Sequence, residues 1–419
     1  MPDPQTSKIS RNVILLIIVA SLGYFVDIYD LFIFSIVRVK SLHDIGIADV
    51  DMRSQGIYVL NMQMWGLILG GILWGVLGDK LGRIKVLFGS ILTYSLANFA
   101  NGMVHDINSY AVIRLIAGVG LSGELGAGIT LISEALSKEK RGYGTMAVSM
   151  IGLLGAIAAG AAGKYDWRIA YYIGGGLGMV LLFLRMGIFE SGLFKDVAKT
   201  GVSKGNVLIL LTNRKRFLKY LYCILIGAPV WFVVGIIITL APEFEKILKA
   251  KETLSPGAAV VLFFAGASIG NIIAAILAQL TRSRKLTMLI FLLGNAASVV
   301  IFLNASGLNN GQFTWLCLFI GITGGYLATL VTIAAEQFGT NIRATVTTTV
   351  PNFVRGTLIP INGIFILLLA RYDMIKSSYI MIFGLTAVAL FALSQLKESF
   401  NMDLDYLEAI ETTEPELSI

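Results

Sequence analysis

Apolar residues in this chain run in long blocks, separated by short polar, basic or glycine-rich stretches. A helix needs roughly 20 apolar residues to cross the hydrocarbon layer, and these blocks have that length. Blocks near 13–37, 54–78, 84–104, 109–134, 143–163 and 168–187 predict six spans. A polar, basic stretch follows from Glu190 to Lys219, and six more blocks lie near 220–241, 257–280, 286–305, 313–336, 344–370 and 377–396. The acidic stretch from Lys397 to Ile419 reads as a tail. The expected fold class is an all-α integral membrane protein with twelve transmembrane helices. It divides into a six-helix half over 1–189, a cytoplasmic connector over 190–219, a second six-helix half over 220–396 and a cytoplasmic tail over 397–419. Six spans, a connector and six more suggest two halves around a central pathway.

Composition agrees. Of 419 residues, 56% are hydrophobic and only 14% are charged, with a mean hydropathy of +0.78. A soluble core needs a polar cover that this chain cannot supply. Forty-five glycines suit helices packed closely in lipid. The net charge of +7 raises nucleic acid as a partner, but the basic residues punctuate apolar blocks, so topology explains them better. Segments holding Lys80, Arg83, Lys138, Arg141, Arg282 and Arg284 carry about twice the Lys and Arg of the alternate set. Both termini and the connector are therefore expected in the cytoplasm, in a multi-pass plasma membrane protein of a bacterial inner membrane. The N-terminus is polar for about ten residues and then apolar for about twenty-five, too long for the core of a cleavable signal. Two cysteines and two histidines give no metal framework, and neither a metal nor another cofactor is expected.

Between the second and third blocks stands Gly75-Val-Leu-Gly-Asp79-Lys80-Leu-Gly82-Arg83-Ile-Lys85. Asp79 at a helix end can pair with an arginine of a neighbouring helix and release it as halves rock. The bland reading is a short charged loop obeying the charge rule. The run resembles the loop motif between helices two and three of the major facilitator superfamily, with Gly75, Asp79, Lys80, Gly82 and Arg83 matching directly. Arg114-Leu-Ile-Ala-Gly118-Val-Gly120-Leu-Ser-Gly123-Glu124 resembles that superfamily's helix-four motif. Glu134 with Arg141-Gly142, Asp166-Trp167-Arg168, and Glu336 with Arg343-Ala344 are similar to its later loop motifs. The resemblance spans nearly the whole chain and implies gating roles for Asp79, Lys80, Gly82, Arg83, Glu134, Arg141, Glu336 and Arg343. The second-half loop, Gln279-Leu-Thr-Arg282-Ser-Arg284-Lys285, lacks the aspartate and second glycine. Span five, Gly152 to Gly160, lacks the Gly-Pro pair usual in proton-coupled drug antiporters, which favours symport or facilitated uptake.

Charges inside the blocks carry the candidate chemistry, because an ionisable group in hydrocarbon is costly and usually faces the bundle interior. Asp27 and Asp30 are three residues apart and share a helix face. Arg114, about 7 Å below the same surface by helical rise, can reach either of them. A carboxylate that trades arginine partners as it gains a proton is a coupling device; a static ion pair is the alternative. Gly23-Tyr-Phe-Val-Asp27-Ile-Tyr29-Asp30 also resembles the first helix of organic-acid and metabolite proton symporters of the superfamily, which implies a transport role for an aspartate here. Arg355 lies about 16 Å into span eleven, near the midplane, where a cation suits a carboxylate or phosphate; a pair with an acidic residue on another helix is the alternative. Pro351 and Asn352 lie about a turn before it, the proline able to bend the helix. Glu124 reads equally as a proton relay or a structural partner.

The expectations are a secondary active transporter and not an enzyme, working as a monomer on a small, anionic solute, with protons and membrane lipid as its other partners and no nucleic acid. Proton coupling falls to Asp27, Asp30 and Glu124. Substrate binding falls to Arg114, Arg355, Tyr29 and Asn352. Proton-coupled efflux of a drug or metabolite, and uptake of a sugar or organic cation, are the alternatives.

Overall fold

The computed structural model describes residues 11–81, 83–124, 141–190, 210, 213–251 and 256–400, and every regular element among them is helical. In chain order these are α1 (Arg11–Asp44), α2 (Met52–Leu81), α3 (Arg83–Asn101), α4 (Ile107–Leu121), α5 (Arg141–Ala162) and α6 (Trp167–Glu190). Next come α7 (Arg214–Phe232), which continues as a π-helix over Val233–Ile238, the short α8 (Ala241–Ile247), α9 (Pro256–Thr281), α10 (Arg284–Asn304), α11 (Asn310–Gly324) and α12 (Leu327–Glu336). The last are α13 (Thr340–Gly356), α14 (Leu358–Leu369) and α15 (Met374–Gln395). Among the described residues, nine helical stretches are long and apolar enough to cross a membrane, and Ile107–Leu121 and Ile151–Ala162 are shorter apolar helices. Large apolar side chains such as Leu280, Trp315 and Leu367 stand exposed on the outside, as a lipid-facing surface requires. This is a multi-pass membrane protein.

Polar residues set the helix starts. Asp106 accepts the Ser109 amide at 2.9 Å to cap α4, Asp373 accepts the Lys376 amide at 2.8 Å to cap α15, and Asn309 with Gln312 forms a capping box on α11. Gly46, with φ of 85°, turns the chain out of α1.

The packing repeats itself. α1 lies against α5 and α6, α2 against α4, and α3 against α4 and α6; α7 lies against α13 and α15, α9 against α11, and α10 against α11 and α15. The α2–α4 and α9–α11 crossings use glycine in the same way. A methyl on Gly66 would sit 2.9 Å from Gly118 Cα, and one on Gly266 would sit 3.0 Å from Gly321 Cα. Backbones meet there because no side chain intervenes. Contact between the early and late helices runs through α5 on α9, α2 on α13 and α14, and α1 on α9.

Two interruptions shape the interior. α7 contains Pro229 and then relaxes into π geometry over Val233–Ile238. The eleventh apolar block contains Pro351 and breaks between α13 and α14 at Thr357, two residues after Arg355. Helix interruptions of this kind are tolerated at membrane depth where protein surrounds them.

Candidate substrate and proton site

Three buried ion pairs gather on or beside α1. Arg114 Nη1 donates to Asp30 Oδ1 at 3.1 Å, and its Nη2 donates to the Asp30 carbonyl at 3.0 Å, with both side chains fully buried. The guanidinium also lies over the Tyr171 ring, 5.6 Å from its centroid. The Tyr171 and Tyr110 hydroxyls are 2.6 Å apart, and Tyr110 donates to Ser41 Oγ at 3.2 Å. Arg114 is thus held by charge, backbone and ring at once.

The second pair joins Glu124, just past α4, to Arg185 on α6. Arg185 Nη1 donates to Glu124 Oε1 at 2.8 Å and Nη2 to Oε2 at 3.0 Å, a two-bond fork. Gly23 of α1 lies against it, and a methyl there would sit 2.8 Å from Glu124 Oε2.

The third pair crosses the molecule. Arg355 Nη2 meets Asp27 Oδ2 at 3.4 Å, linking α13 to α1 over 328 residues of sequence. Both side chains are buried, at 1% and 0% exposure. Asp27 Oδ1 and Arg355 Nε and Nη1 have no hydrogen-bond partner among the described residues. Tyr24 stands close enough to feel both charges. Asn352, one turn before Arg355, donates to the Ser122 carbonyl at 3.1 Å and ties α13 to the end of α4.

The candidate residues divide accordingly. Arg114 goes to Asp30 and not to Asp27, and Arg355 finds its acidic partner on α1. Tyr29 donates to the Ala170 carbonyl at 2.7 Å, so its hydroxyl serves the α1–α6 contact. Glu336, at the end of α12, pairs with Arg284 at 3.3 Å. Asp79 and Lys80 end α2, Arg83 opens α3, Arg141 opens α5 and Arg343 lies in α13; their side chains, and Gly82 and Glu134 entirely, lie outside the described residues.

Sequence reading missed two arginines by counting them as loop charges. Arg185 is the partner of Glu124. Arg38, 1% exposed, reaches Glu243 of α8 at 2.8 Å, the Thr239 carbonyl at 3.2 Å and the Met52 carbonyl at 3.4 Å. Thr239 donates to Ser35 Oγ at 3.2 Å beside it, so one end of α1 is fastened to the chain after the π-helix. The available signal was position, since each arginine lies at the end of an apolar block, where burial competes with snorkelling.

The loop before α10 makes good its missing aspartate. Glu398, beyond α15, accepts the Arg284 amide at 2.8 Å, the Lys285 amide at 3.2 Å and Ser283 Oγ at 2.5 Å. Partial burial pushes this carboxyl up, but its bonds from Ser283 and the Arg284, Phe400 and Lys285 amides outweigh that and hold it below the usual carboxylate range. Ser399 donates to Glu336 at 2.7 Å, so three helix ends share one polar cluster.

Comparison with known proteins gives the same frame. The family model of the Major Facilitator Superfamily matches residues 17–358. A candidate niacin/nicotinamide transporter of Bacillus subtilis is 26% identical over 358 residues, covering 83% of this chain and 85% of the relative. A candidate metabolite transport protein of Haemophilus influenzae is 26% identical over 375 residues, covering 81% and 85%. The 3-(3-hydroxy-phenyl)propionate transporter of Escherichia coli is 26% identical over 307 residues, covering 71% and 73%. The motifs, the repeated helix packing and the family match agree: this chain is a transporter, not an enzyme, and belongs to the major facilitator superfamily.

Proposed function

We propose that the chain imports a small organic anion, a carboxylate, by proton symport. Twelve spans form two six-helix halves, 1–189 and 220–396, with the 190–219 connector, the 397–419 tail and both termini in the cytoplasm of a bacterial inner membrane. The repeated packing of α1–α6 by α7–α15 supports the two halves. Niacin and 3-(3-hydroxy-phenyl)propionate, in the names of two relatives, are both organic anions.

The observation that carries this reading is the Asp27–Arg355 ion pair, held by one 3.4 Å contact with Arg355 Nε and Nη1 left over among the described residues. Each of those donors forms a fork edge with Nη2, the nitrogen that meets Asp27, and such an edge matches a carboxylate that comes to share or displace the Asp27 contact. A substrate carboxylate arriving there takes over the neutralisation of Arg355. Asp27 is then a surplus negative charge in a dry place, and a proton removes that cost. The loaded centre holds one anion, one proton and one arginine, so it crosses without net buried charge. Release of either partner re-forms the Asp27–Arg355 pair, which expels the other. Arg38 with Glu243, at the outer end in this orientation, is the contact that must part for substrate to enter.

The test is uptake into proteoliposomes under an inward proton gradient, across small carboxylates, sugars and organic cations. Saturable uptake of a carboxylate is expected, and Arg355→Ala should reduce it by about 30-fold or more, from the roughly 2 kcal/mol or more lost with a charged hydrogen-bond partner. Uptake confined to sugars or cations, or a carboxylate KM unchanged in Arg355→Ala, contradicts the proposal.

A further inference from the structure

α2 of the early helices meets α13 and α14 of the late ones in one antiparallel register, on both sides of Arg355. Asn362 of α14 donates to Asn61 Oδ1 of α2 at 2.6 Å. Further along α2, a methyl on Gly71 would lie 3.8 Å from the Asn352 side chain of α13. Between these two points Ile68 faces Gly356, the residue that follows Arg355. The three facing pairs cover about 15 Å of helix.

The middle pair is the tight one. A methyl on Gly356 would sit 2.5 Å from Ile68 Cδ1 and 2.6 Å from its Cγ1, where Gly71 has ordinary van der Waals room. Ile68 cannot swing aside cheaply, because χ1 places Cγ1 and a β-branched residue in a helix has one strongly preferred χ1. The backbone does not explain a glycine here. Gly356 closes α13 in helical geometry, and only Gly46 and Gly307 among the described glycines have positive φ. The missing side chain therefore answers to Ile68. The helix ladder also changes at this point. The Thr357 amide bonds to both the Phe353 and Val354 carbonyls, at 3.0 and 3.2 Å, its hydroxyl donates to the Val354 carbonyl at 2.6 Å, and α14 begins at Leu358. Arg355 thus stands at a joint, with a side chain from the early helices pressed against the next residue. Its 3.4 Å contact with Asp27 is longer than a charge-assisted bond and is a weak hold on the guanidinium by itself.

Resting on the anion reading above for the role of Arg355, we propose that Ile68 is the positioning residue of that arginine: seated against Gly356, it fixes the end of α13 so that the guanidinium meets Asp27. It does so only while α2 lies on α13. When the early and late helices part along this seam, the joint at Thr357 loses its backing, and Arg355 turns from Asp27 to the substrate carboxylate. The aim of the anion-binding group is then set by the arrangement of the helices as well as by the substrate.

The experiment is a set of thermal-melting cycles on purified full-length protein in detergent, with no substrate present. Gly356→Ala should lower the melting temperature by about 2–6 °C, and Ile68→Ala added to it should recover most of that loss. Gly71→Ala, on the same seam but with room for a methyl, should not lower it. Adding Asp27→Asn then reads the positioning. In wild type this substitution loses the contact with Arg355. In Gly356→Ala that arginine is already displaced, so the same substitution should lower melting by less than about half as much. A loss of packing alone would leave the two shifts additive. Ile68→Ala, which only removes atoms, carries the same comparison if Gly356→Ala does not fold. Absence of rescue by Ile68→Ala, or an Asp27→Asn shift equal in wild type and variant, overturns the proposal. Because no substrate enters these cycles, Ile68 can fail as a positioning residue while Arg355→Ala still abolishes carboxylate uptake, and the anion reading then stands. Uptake indifferent to Arg355→Ala removes the anion reading, and with it the substrate half of this proposal.

Discussion

The Glu124–Arg185 and Asp27–Arg355 pairs hold the same charges at the same depth of burial, yet they are built differently. Glu124 and Arg185 share two bonds of 2.8 and 3.0 Å, and both belong to the early helices. Asp27 and Arg355 share one contact of 3.4 Å, and they belong to helices 328 residues apart in sequence. A buried pair with every bond made is a fixed strut, because parting it strands two charges in a medium that cannot solvate them. A pair with spare donors and a spare acceptor oxygen already has places for a third party. The fixed pair sits within the early helices and the loose pair between the early and late ones, as the transport cycle proposed above requires.

The largest effect should come from breaking the strut. Arg185→Met leaves Glu124 uncompensated and should lower stability by about 3–5 kcal/mol, read as a drop in thermal melting of the purified protein in detergent. Asp27→Asn should cost markedly less, about 1–3 kcal/mol, because it removes a single long contact. Equal losses would erase the distinction between the pairs. Smaller still should be Glu243→Gln, which weakens a pair whose acid is 22% exposed. It should cost under about 1 kcal/mol in stability, while raising the labelling rate of a cysteine placed at Ser35 by loosening that end of α1. A labelling rate unchanged from the Ser35→Cys background would show that Arg38 and Glu243 do not hold that end shut.

Helix positions were legible because their cause is local. The apolar blocks at 257–280, 286–305 and 377–396 became Pro256–Thr281, Arg284–Asn304 and Met374–Gln395. Breaks inside a block were harder to read, since hydropathy runs unbroken through Tyr326 and Thr357; Pro351 pointed to a bend, but the break comes after Arg355. Asp27, Arg114, Glu124 and Arg355 stood out because charge within an apolar block is conspicuous. Which charge pairs with which was not legible, because pairing over such sequence distances is decided by how helices are arranged, which one chain's pattern does not encode. Arg185 shows the limit best. It lies inside the 168–187 block, but loop arginines and buried arginines look alike within a turn of a block's end. Glu398 was invisible for a related reason, since the loop motif lacks an acid and the acid that replaces it follows the last helix.

The central claim is that Asp27 exchanges Arg355 for a proton during transport. Asp27→Asn and wild type, reconstituted in the same vesicle preparation, should be compared in gradient-driven uptake and in counterflow exchange of one carboxylate. The neutral amide cannot carry the proton but leaves Arg355 free for the anion. The account predicts that Asp27→Asn loses accumulation driven by the proton gradient and retains counterflow; accumulation at the wild-type level would contradict it.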